Sequence, residues 1–269
     1  MLKIRCNKLI LCLSINYMWI LLIPLLLFGC ASSPTEEDDE TAEWSAEQFY
    51  KQAKHELEAG DYELAIKYFE TLEARFPFGK YAQQAQLESI YAYFLFNEPD
   101  SAIAAADRFI KLNPTHSNVD YAYYMRGLAS FHKKDTPFDF IAYQDPADRD
   151  SNSARESFNY FSELVKKFPT SKYAPDSIKR MTFQRNTLAK HELKVASYYL
   201  ERGAYVAAAN RAKYVIENYP KTPSIPEALK LLAKAYQFLE MDDLANDATR
   251  VYDLNFAETH AETQQESNE

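Results

Sequence analysis

The chain has 269 residues, of which 47% are apolar, and a formal net charge of −9 at pH 7. This is enough apolar material for a large packed core, and five glycines against 20 tyrosines and 17 phenylalanines favour helices over a β-rich fold. The acidic balance argues against nucleic-acid binding, because proteins that grip a phosphate backbone present a basic surface.

The amino-terminal segment has the pattern of a secretory signal. Three basic residues among the first eight precede an apolar run over residues 9–28. The run is also long enough to span a bilayer, so an uncleaved transmembrane anchor is the alternative. It ends in Leu27-Phe28-Gly29-Cys30, which resembles the bacterial lipobox, although Phe28 is bulkier than the residue usual at that position. We therefore predict a lipoprotein signal peptide over residues 1–29 and lipid on Cys30.

Cleavage before Cys30 changes the charge and the cysteine content of the mature chain. It removes three of the 30 basic side chains and none of the 39 acidic ones, which leaves a net charge of −12. Cys6 and Cys12 are lost with the signal, so the mature domain has no disulfide, no cysteine nucleophile and no thiolate metal site. We predict a flexible acidic tether over residues 30–44. Ala31, in place of an aspartate that would retain a lipoprotein at the inner membrane, favours the outer membrane.

Four later stretches end in the same way, with an apolar helix face, a bulky residue and then a proline. The four prolines are Pro77, Pro114, Pro169 and Pro220. Proline stops a helix because it has no amide donor and clashes with the preceding turn. A small side chain lies twelve residues before each proline, and apolar side chains lie eight and five residues before it. The 37 residues from Pro77 to Pro114 are close to the period of about 34 of a tetratricopeptide repeat (TPR).

These patterns predict an all-α fold, a right-handed solenoid of about five TPR helix pairs over residues 45–256. A single pair cannot bury its apolar face alone, so stacked pairs share a continuous core. Gly60 and Gly203 fall where the two helices of a pair would turn. The predicted repeats cover residues 45–78, 79–115, 116–170, 171–221 and 222–256.

Three segments depart from the regular period. Prolines and acids over residues 135–150 predict a loop insertion in the third repeat. Residues 176–202 contain neither proline nor glycine, which predicts a long first helix in the fourth repeat. The acidic tail over residues 257–269 is predicted to be disordered.

The sequence offers no recognisable catalytic, metal or cofactor site. The five histidines have no metal-binding helical spacing, and no glycine-rich phosphate loop or nucleophile elbow occurs. The pair Asp242-Asp243 is better explained as a helix cap than as an acid–base pair. We predict that the chain is not an enzyme and binds no cofactor. The enzymatic alternative would need a loop-built site over residues 135–150, which supplies no nucleophile–base pair.

Several longer motifs resemble one family. They include Arg75-Phe76-Pro77-Phe78-Gly79-Lys80-Tyr81, Asn113-Pro114-Thr115-His116, Asp148-Arg149-Asp150 and Glu201-Arg202-Gly203-Ala204-Tyr205. Together with the lipobox, these motifs are similar to the TPR lipoprotein of the outer-membrane β-barrel assembly machinery, the BamD/YfiO/ComL family. The resemblance runs from about residue 49 to residue 254.

The resemblance implies a periplasmic scaffold anchored by lipid to the outer membrane. Its implied partners are the barrel insertase, contacted through its polypeptide-transport-associated (POTRA) modules, accessory assembly lipoproteins and unfolded outer-membrane proteins. The alternative is a TPR lipoprotein that organises cell-wall synthesis or envelope maintenance, which would need the same composition.

Two sets of site residues follow from the resemblance. An aromatic groove for substrate peptides would contain Phe76, Phe78, Gly79, Tyr81, Tyr91 and Tyr93. The alternative for the aromatic residues is the core between repeats, and for Gly79 it is a turn with positive φ. The insertase contact would use Arg202 and Arg211, with Arg126 and Arg149 as further candidates. An internal salt bridge between repeats is the alternative for Arg202 and Arg211. For Arg149, which lies between Asp148 and Asp150, the alternative is a role in ordering the loop.

Overall fold

The computed structural model describes residues 41–132, 147 and 151–266. This part of the chain contains ten α-helices and no β-strand, which confirms the all-α prediction. The helices, in chain order, are α1 Ala46–Ala59, α2 Tyr62–Arg75, α3 Lys80–Leu95, α4 Pro99–Leu112, α5 Val119–His132, α6 Ser151–Lys167, α7 Ala174–Glu201, α8 Tyr205–Asn218, α9 Ile225–Phe238 and α10 Asp242–Glu266.

The helices belong to one compact unit that begins at Ser45. Each helix packs against the next one in the chain. In addition, α1 contacts α3, α3 contacts α5, and α7 contacts α9, so the first helices of successive pairs meet. Each of the first four repeats expected from the sequence contains one consecutive helix pair, and the fifth contains α9 and the start of α10.

The four prolines end helices as the sequence predicts. Helices α2, α4, α6 and α8 each stop two residues before a proline. The helix starts are also set locally. Ser45 caps α1 in a capping box with Gln48, and the Asp61 carboxylate caps α2 by accepting from the Leu64 amide at 3.1 Å. Gly60, with φ of +88°, ends α1 and allows the chain to turn back into α2.

The residues at fixed distances before each proline form the centre of the core. All twelve are completely buried. They are the small residues Ala65, Ala102, Ser157 and Ala208, then Phe69, Ala106, Phe161 and Ala212, then Leu72, Phe109, Leu164 and Val215. The small residues let neighbouring helices approach, and the larger ones fill the space between pairs.

The long helix predicted in the fourth repeat is α7, which has 28 residues. It connects two buried clusters. Ala174, in its first turn, packs into the cluster built by α3, α4, α5 and α6. Leu188, Leu193 and Ala196 belong to the cluster built with α8, α9 and α10. Within the described ranges, no helix combines the length and the apolarity that crossing a membrane requires.

Some predictions concern residues outside the described ranges. These are the signal peptide, Cys30, most of the tether, nearly all of the insertion, and Arg149. Within the insertion Ala147 is described. It is buried, and its carbonyl oxygen lies 2.8 Å from Nδ1 of His191 on α7.

Helix α10 extends to Glu266. The disorder predicted for residues 257–269 stays a prediction. Residues 257–266 contain no glycine or proline and are rich in alanine, glutamate and glutamine, so no residue in this stretch stops the helix.

Candidate binding surfaces

Tyrosines on, or directly before, the first helices of the first four pairs form one set, which we call the tyrosine surface. Its members are Tyr50, Tyr81, Tyr91, Tyr121 and Tyr173. The rings of Tyr50 and Tyr81 are 5.7 Å apart, and those of Tyr121 and Tyr173 are 5.8 Å apart. Burial is the main cause that raises the pKa of Tyr50 and of Tyr121, and the nearby Glu88 carboxylate raises both further. Four successive helix pairs thus contribute to one aromatic surface.

A cavity of about 680 Å³ opens at the carboxyl-terminal end of this surface. It is lined by α3, by the turn between α4 and α5, and by the turn between α6 and α7. The lining residues are Leu87, Glu88, His116, Ser117, Asn118, Val119, Asp120, Tyr121, Phe168, Thr170, Ser171, Lys172 and Tyr173. The mixture of rings, hydroxyls and charges suits a peptide, which presents both apolar side chains and polar backbone groups.

Hydrogen bonds hold the walls of this cavity in place. The Ser171 hydroxyl donates to Asp120 at 2.6 Å. The Tyr124 hydroxyl donates to Asp176 at 2.9 Å, and its ring stacks on Tyr173 with centroids 4.7 Å apart. Burial of the Asp176 carboxyl opposes its ionisation, but hydrogen bonds from Arg180 and Tyr124 outweigh that effect and lower its pKa. The rings of the cavity are therefore positioned before any ligand binds.

The structure divides the six groove candidates among different surroundings. Tyr81 and Tyr91 belong to the tyrosine surface, and Tyr91 is 37% exposed. Tyr93, two positions further along α3, lies about 200° around the helix and donates a hydrogen bond to Glu70 of α2. It lines a separate cavity of about 380 Å³ between α2, α3 and α4.

The other three candidates lie in the turn before α3. Phe76 is half-buried, and its ring is 6.5 Å from that of Phe49 in the core. Phe78 is 90% exposed. Gly79 has φ of +102°, as the turn alternative requires, and a β-carbon there would meet no neighbour within 4 Å.

Sequence reasoning missed Tyr50, Tyr121 and Tyr173 as members of the surface. A positional signal was present. Tyr81 is the second residue of α3, Tyr121 is the third of α5, and Tyr173 directly precedes α7. Alignment of the repeats by helix start, rather than by the proline stop, brings these tyrosines together.

Among the arginine candidates, Arg126 forms internal contacts. Arg126 is 8% exposed, and its guanidinium forms ion pairs with Asp107, at 2.6 Å, and with Glu163. Its charge also lies over the rings of Tyr123 and Tyr160, at 5.0 and 4.3 Å from their centroids. These contacts hold the Arg126 guanidinium between the helices of neighbouring pairs.

The two arginines of the fourth pair differ from each other. Arg202 is exposed at the carboxyl-terminal end of α7, with its guanidinium 5.2 Å from the centroid of Tyr198. Arg211 on α8 donates to the buried carboxylate of Glu192 at 2.7 Å, yet 46% of its side chain remains exposed. Glu192 also accepts from Arg155 of α6 at 3.0 Å. Neither Glu192 nor Arg155 was identified from the sequence.

The described residues contain no cluster of three or more histidine, cysteine, aspartate or glutamate side chains that could hold a metal ion. What they present is an extended aromatic surface with a peptide-sized cavity, and exposed arginines on a later repeat. These features define an α-helical repeat protein.

Comparison with known proteins gives the family. The model of the YfiO outer membrane lipoprotein family matches residues 42–251. A protein of Neisseria gonorrhoeae named outer membrane protein assembly factor BamD is 44% identical over 243 residues, which cover 88% of this chain and 91% of that protein. The protein of the same name from Vibrio cholerae is 36% identical, with 86% of this chain and 94% of that protein covered. The chain therefore belongs to the YfiO family, as the sequence motifs predicted.

Among solved structures, the crystal structure of MamA protein is similar over 77% of this chain and 90% of that chain. The TM-score is 0.33 and the sequence identity is 15%. The role named for the family relatives, assembly of outer membrane proteins, is not a catalytic one, in agreement with the prediction that the chain is not an enzyme.

Proposed function

We propose that this chain is a non-catalytic assembly factor for outer-membrane proteins, tethered to the periplasmic face of the outer membrane by lipid on Cys30. The names of its relatives and the lipobox motif support this role. Its partners would be the barrel insertase, accessory assembly lipoproteins and unfolded outer-membrane proteins. The observation that supports substrate binding is the tyrosine surface, because four successive repeats build it and a cavity large enough for several peptide residues opens at its carboxyl-terminal end.

The chemistry of this surface fits an unfolded barrel strand. Such a strand alternates apolar and polar side chains and has unpaired backbone amides and carbonyls. Tyrosine rings offer apolar contact area, while their hydroxyls and the side chains of Glu88 and Asp120 can pair with the backbone amides. Lys172, at the cavity wall, can donate to a backbone carbonyl or to a carboxylate.

A matched pair of variants on α3 tests the surface. We expect Tyr91→Ala to weaken binding of a labelled peptide that copies the last strand of an outer-membrane barrel by about tenfold, the effect of losing about 1.4 kcal/mol of contact. Tyr93→Ala removes the same side chain from the opposite side of the same helix and should leave binding unchanged. Fluorescence anisotropy with the purified full chain measures both. Equal losses in the two variants would contradict the assignment of the surface.

The insertase contact is proposed at Arg202 and Arg211, on the fourth repeat. Affinity purification of the tagged chain from detergent-solubilised envelopes tests it, with Arg202→Gln and Arg211→Gln beside wild type. Charge reversal at Arg211 would be a poor choice, because it would place a second carboxylate against the buried Glu192. We expect a barrel protein with POTRA modules to accompany wild type and to decrease with the variants. Recovery of cell-wall synthases without any barrel protein would contradict the proposal.

A further inference from the structure

The carboxylate of Glu192 joins three helices through two arginines. It lies in the middle of α7, and its side chain is 5% exposed. One oxygen accepts from Arg155 of α6 at 3.0 Å, and the other accepts from Arg211 of α8 at 2.7 Å. Both oxygens of the buried carboxylate are therefore occupied, each by a different arginine.

This cluster carries an unbalanced charge. Two guanidinium groups and one carboxylate sum to one net positive charge. In the part of the chain that the structure describes, neither arginine forms an ion pair with a second carboxylate. A hydrogen bond with Tyr214 is the main cause that raises the pKa of Arg155, so the positive charge of Arg155 persists at any physiological pH.

The cluster also leaves a binding edge free. Arg211 donates to Glu192 through Nη1 alone, and nearly half of its side chain is exposed. A guanidinium has five N–H donors in a planar fork, so the other edge of Arg211 can donate to a second carboxylate. Contact with Glu192 fixes the direction in which that edge points, which lowers the entropy cost of using it.

We infer that Glu192 and Arg155 are positioning residues for a partner carboxylate at Arg211. Glu192 orients the guanidinium, and Arg155 supplies the charge that a simple pair would lack. With Glu192 and Arg211 alone, an arriving carboxylate would meet a neutral pair and leave the group with a net negative charge. With Arg155 present, the same carboxylate completes a neutral group of two arginines and two acids. The inference rests on the proposed insertase contact at Arg211, and what it adds is the role of Glu192 and Arg155 behind that arginine.

Substitutions at Arg155 separate charge from shape. We expect Arg155→Gln to weaken binding of the purified POTRA segment of the insertase by about five- to tenfold, the effect of one unit charge at about 8 Å in partly screened surroundings. Arg155→Lys keeps the charge and should retain most of the affinity. Arg211→Gln should weaken binding more, and the double variant should lose less than the product of the two single losses. Surface plasmon resonance with the full, detergent-solubilised chain measures these affinities.

Arg108→Gln is the matched control. Arg108 on α4 donates to Glu73 of α2 at 3.0 Å, and this pair also joins a mostly buried carboxylate to an exposed arginine. Its loss should leave POTRA binding unchanged. Thermal unfolding of each variant shows whether a loss of affinity merely follows a loss of folding.

Each outcome bears on the inference. If Arg211→Gln weakens binding while Arg155→Gln does not, the charge argument is overturned and the proposed contact at Arg211 stands. If both Arg155 variants weaken binding equally, the charge argument is overturned, because lysine retains the charge. If wild type does not bind the POTRA segment, the proposed contact and the inference fall together.

Discussion

Gly127 of α5 lies against the ring of Phe161 of α6, and its replacement by alanine tests how tightly the third pair is packed. A β-carbon at this position would meet three ring atoms of Phe161 at 2.7, 2.8 and 3.0 Å. Phe161 is completely buried and belongs to the set of core residues at fixed distances before the prolines. The Ser157 hydroxyl of α6 also donates to the Gly127 carbonyl at 3.1 Å, so α5 and α6 cannot separate here without loss of that hydrogen bond.

Two opposing effects set the magnitude. Alanine is the better helix former, which should stabilise α5 by about 1 kcal/mol. Forcing an extra methyl group into a close-packed core costs about 1–3 kcal/mol, and a fully buried ring has no free space to move into, which places this site at the upper end. We therefore expect Gly127→Ala to lower the free energy of unfolding by about 1–2 kcal/mol, and the melting temperature by about 2–8 °C for a domain of this size.

A double-mutant cycle identifies the cause. Phe161→Leu alone should cost about 1–2 kcal/mol through the cavity that it leaves. In that background the alanine methyl group has room, so Gly127→Ala should cost much less or even stabilise the protein. Urea unfolding followed by circular dichroism measures all four proteins. A Gly127→Ala protein that is more stable than wild type, or additive effects in the cycle, would refute the close-packing argument.

Three other substitutions have expected outcomes. Gly79→Ala should lower the free energy of unfolding in urea by about 1–3 kcal/mol, because φ of +102° is strained for alanine although no neighbour is near; an unchanged value would contradict this. Asp176 has a lowered pKa in the folded chain because hydrogen bonds from Arg180 and Tyr124 outweigh the effect of burial. Its contribution to the free energy of unfolding is therefore present above the unfolded pKa of about 3.9 and is lost as the pH falls through the folded pKa. Urea unfolding from pH 5 to pH 2.5 should therefore show a smaller loss of stability in Asp176→Asn than in wild type, and parallel curves would argue against this role. Arg126→Met should lower the melting temperature, with a loss of about 2–3 kcal/mol, because it removes the shared partner of two carboxylates; reduced partner binding at full stability would instead point to a direct contact.

Local rules made the helix pairs predictable. A proline stop acts on the turn next to it, and a residue twelve positions earlier lies on the same helix. The burial of Ala65 and Phe69 therefore follows from a pattern within a single helix. The long α7 followed in the same way from the absence of proline and glycine.

The binding surfaces depend on contacts between helices that the sequence pattern does not encode. Tyr91 and Tyr93 are two positions apart and equally aromatic, yet one faces the tyrosine surface and the other bonds to Glu70. Glu192 is a charged residue in a helix with mixed composition, which suggests exposure to solvent. Its burial is explained only by Arg155 and Arg211, which lie 37 and 19 residues away in the chain.

One helix, α7, links the two proposed sites. The residue before α7, Tyr173, lines the peptide cavity, and Glu192 in the middle of the same helix holds Arg211. The nineteen residues between them correspond to about 28 Å along a continuous helix at about 1.5 Å per residue. A peptide in the cavity and a partner at Arg211 are therefore far enough apart to bind together. Because α7 is unbroken and packed into both core clusters, it fixes the separation of the two proposed sites, as the proposed scaffold role requires.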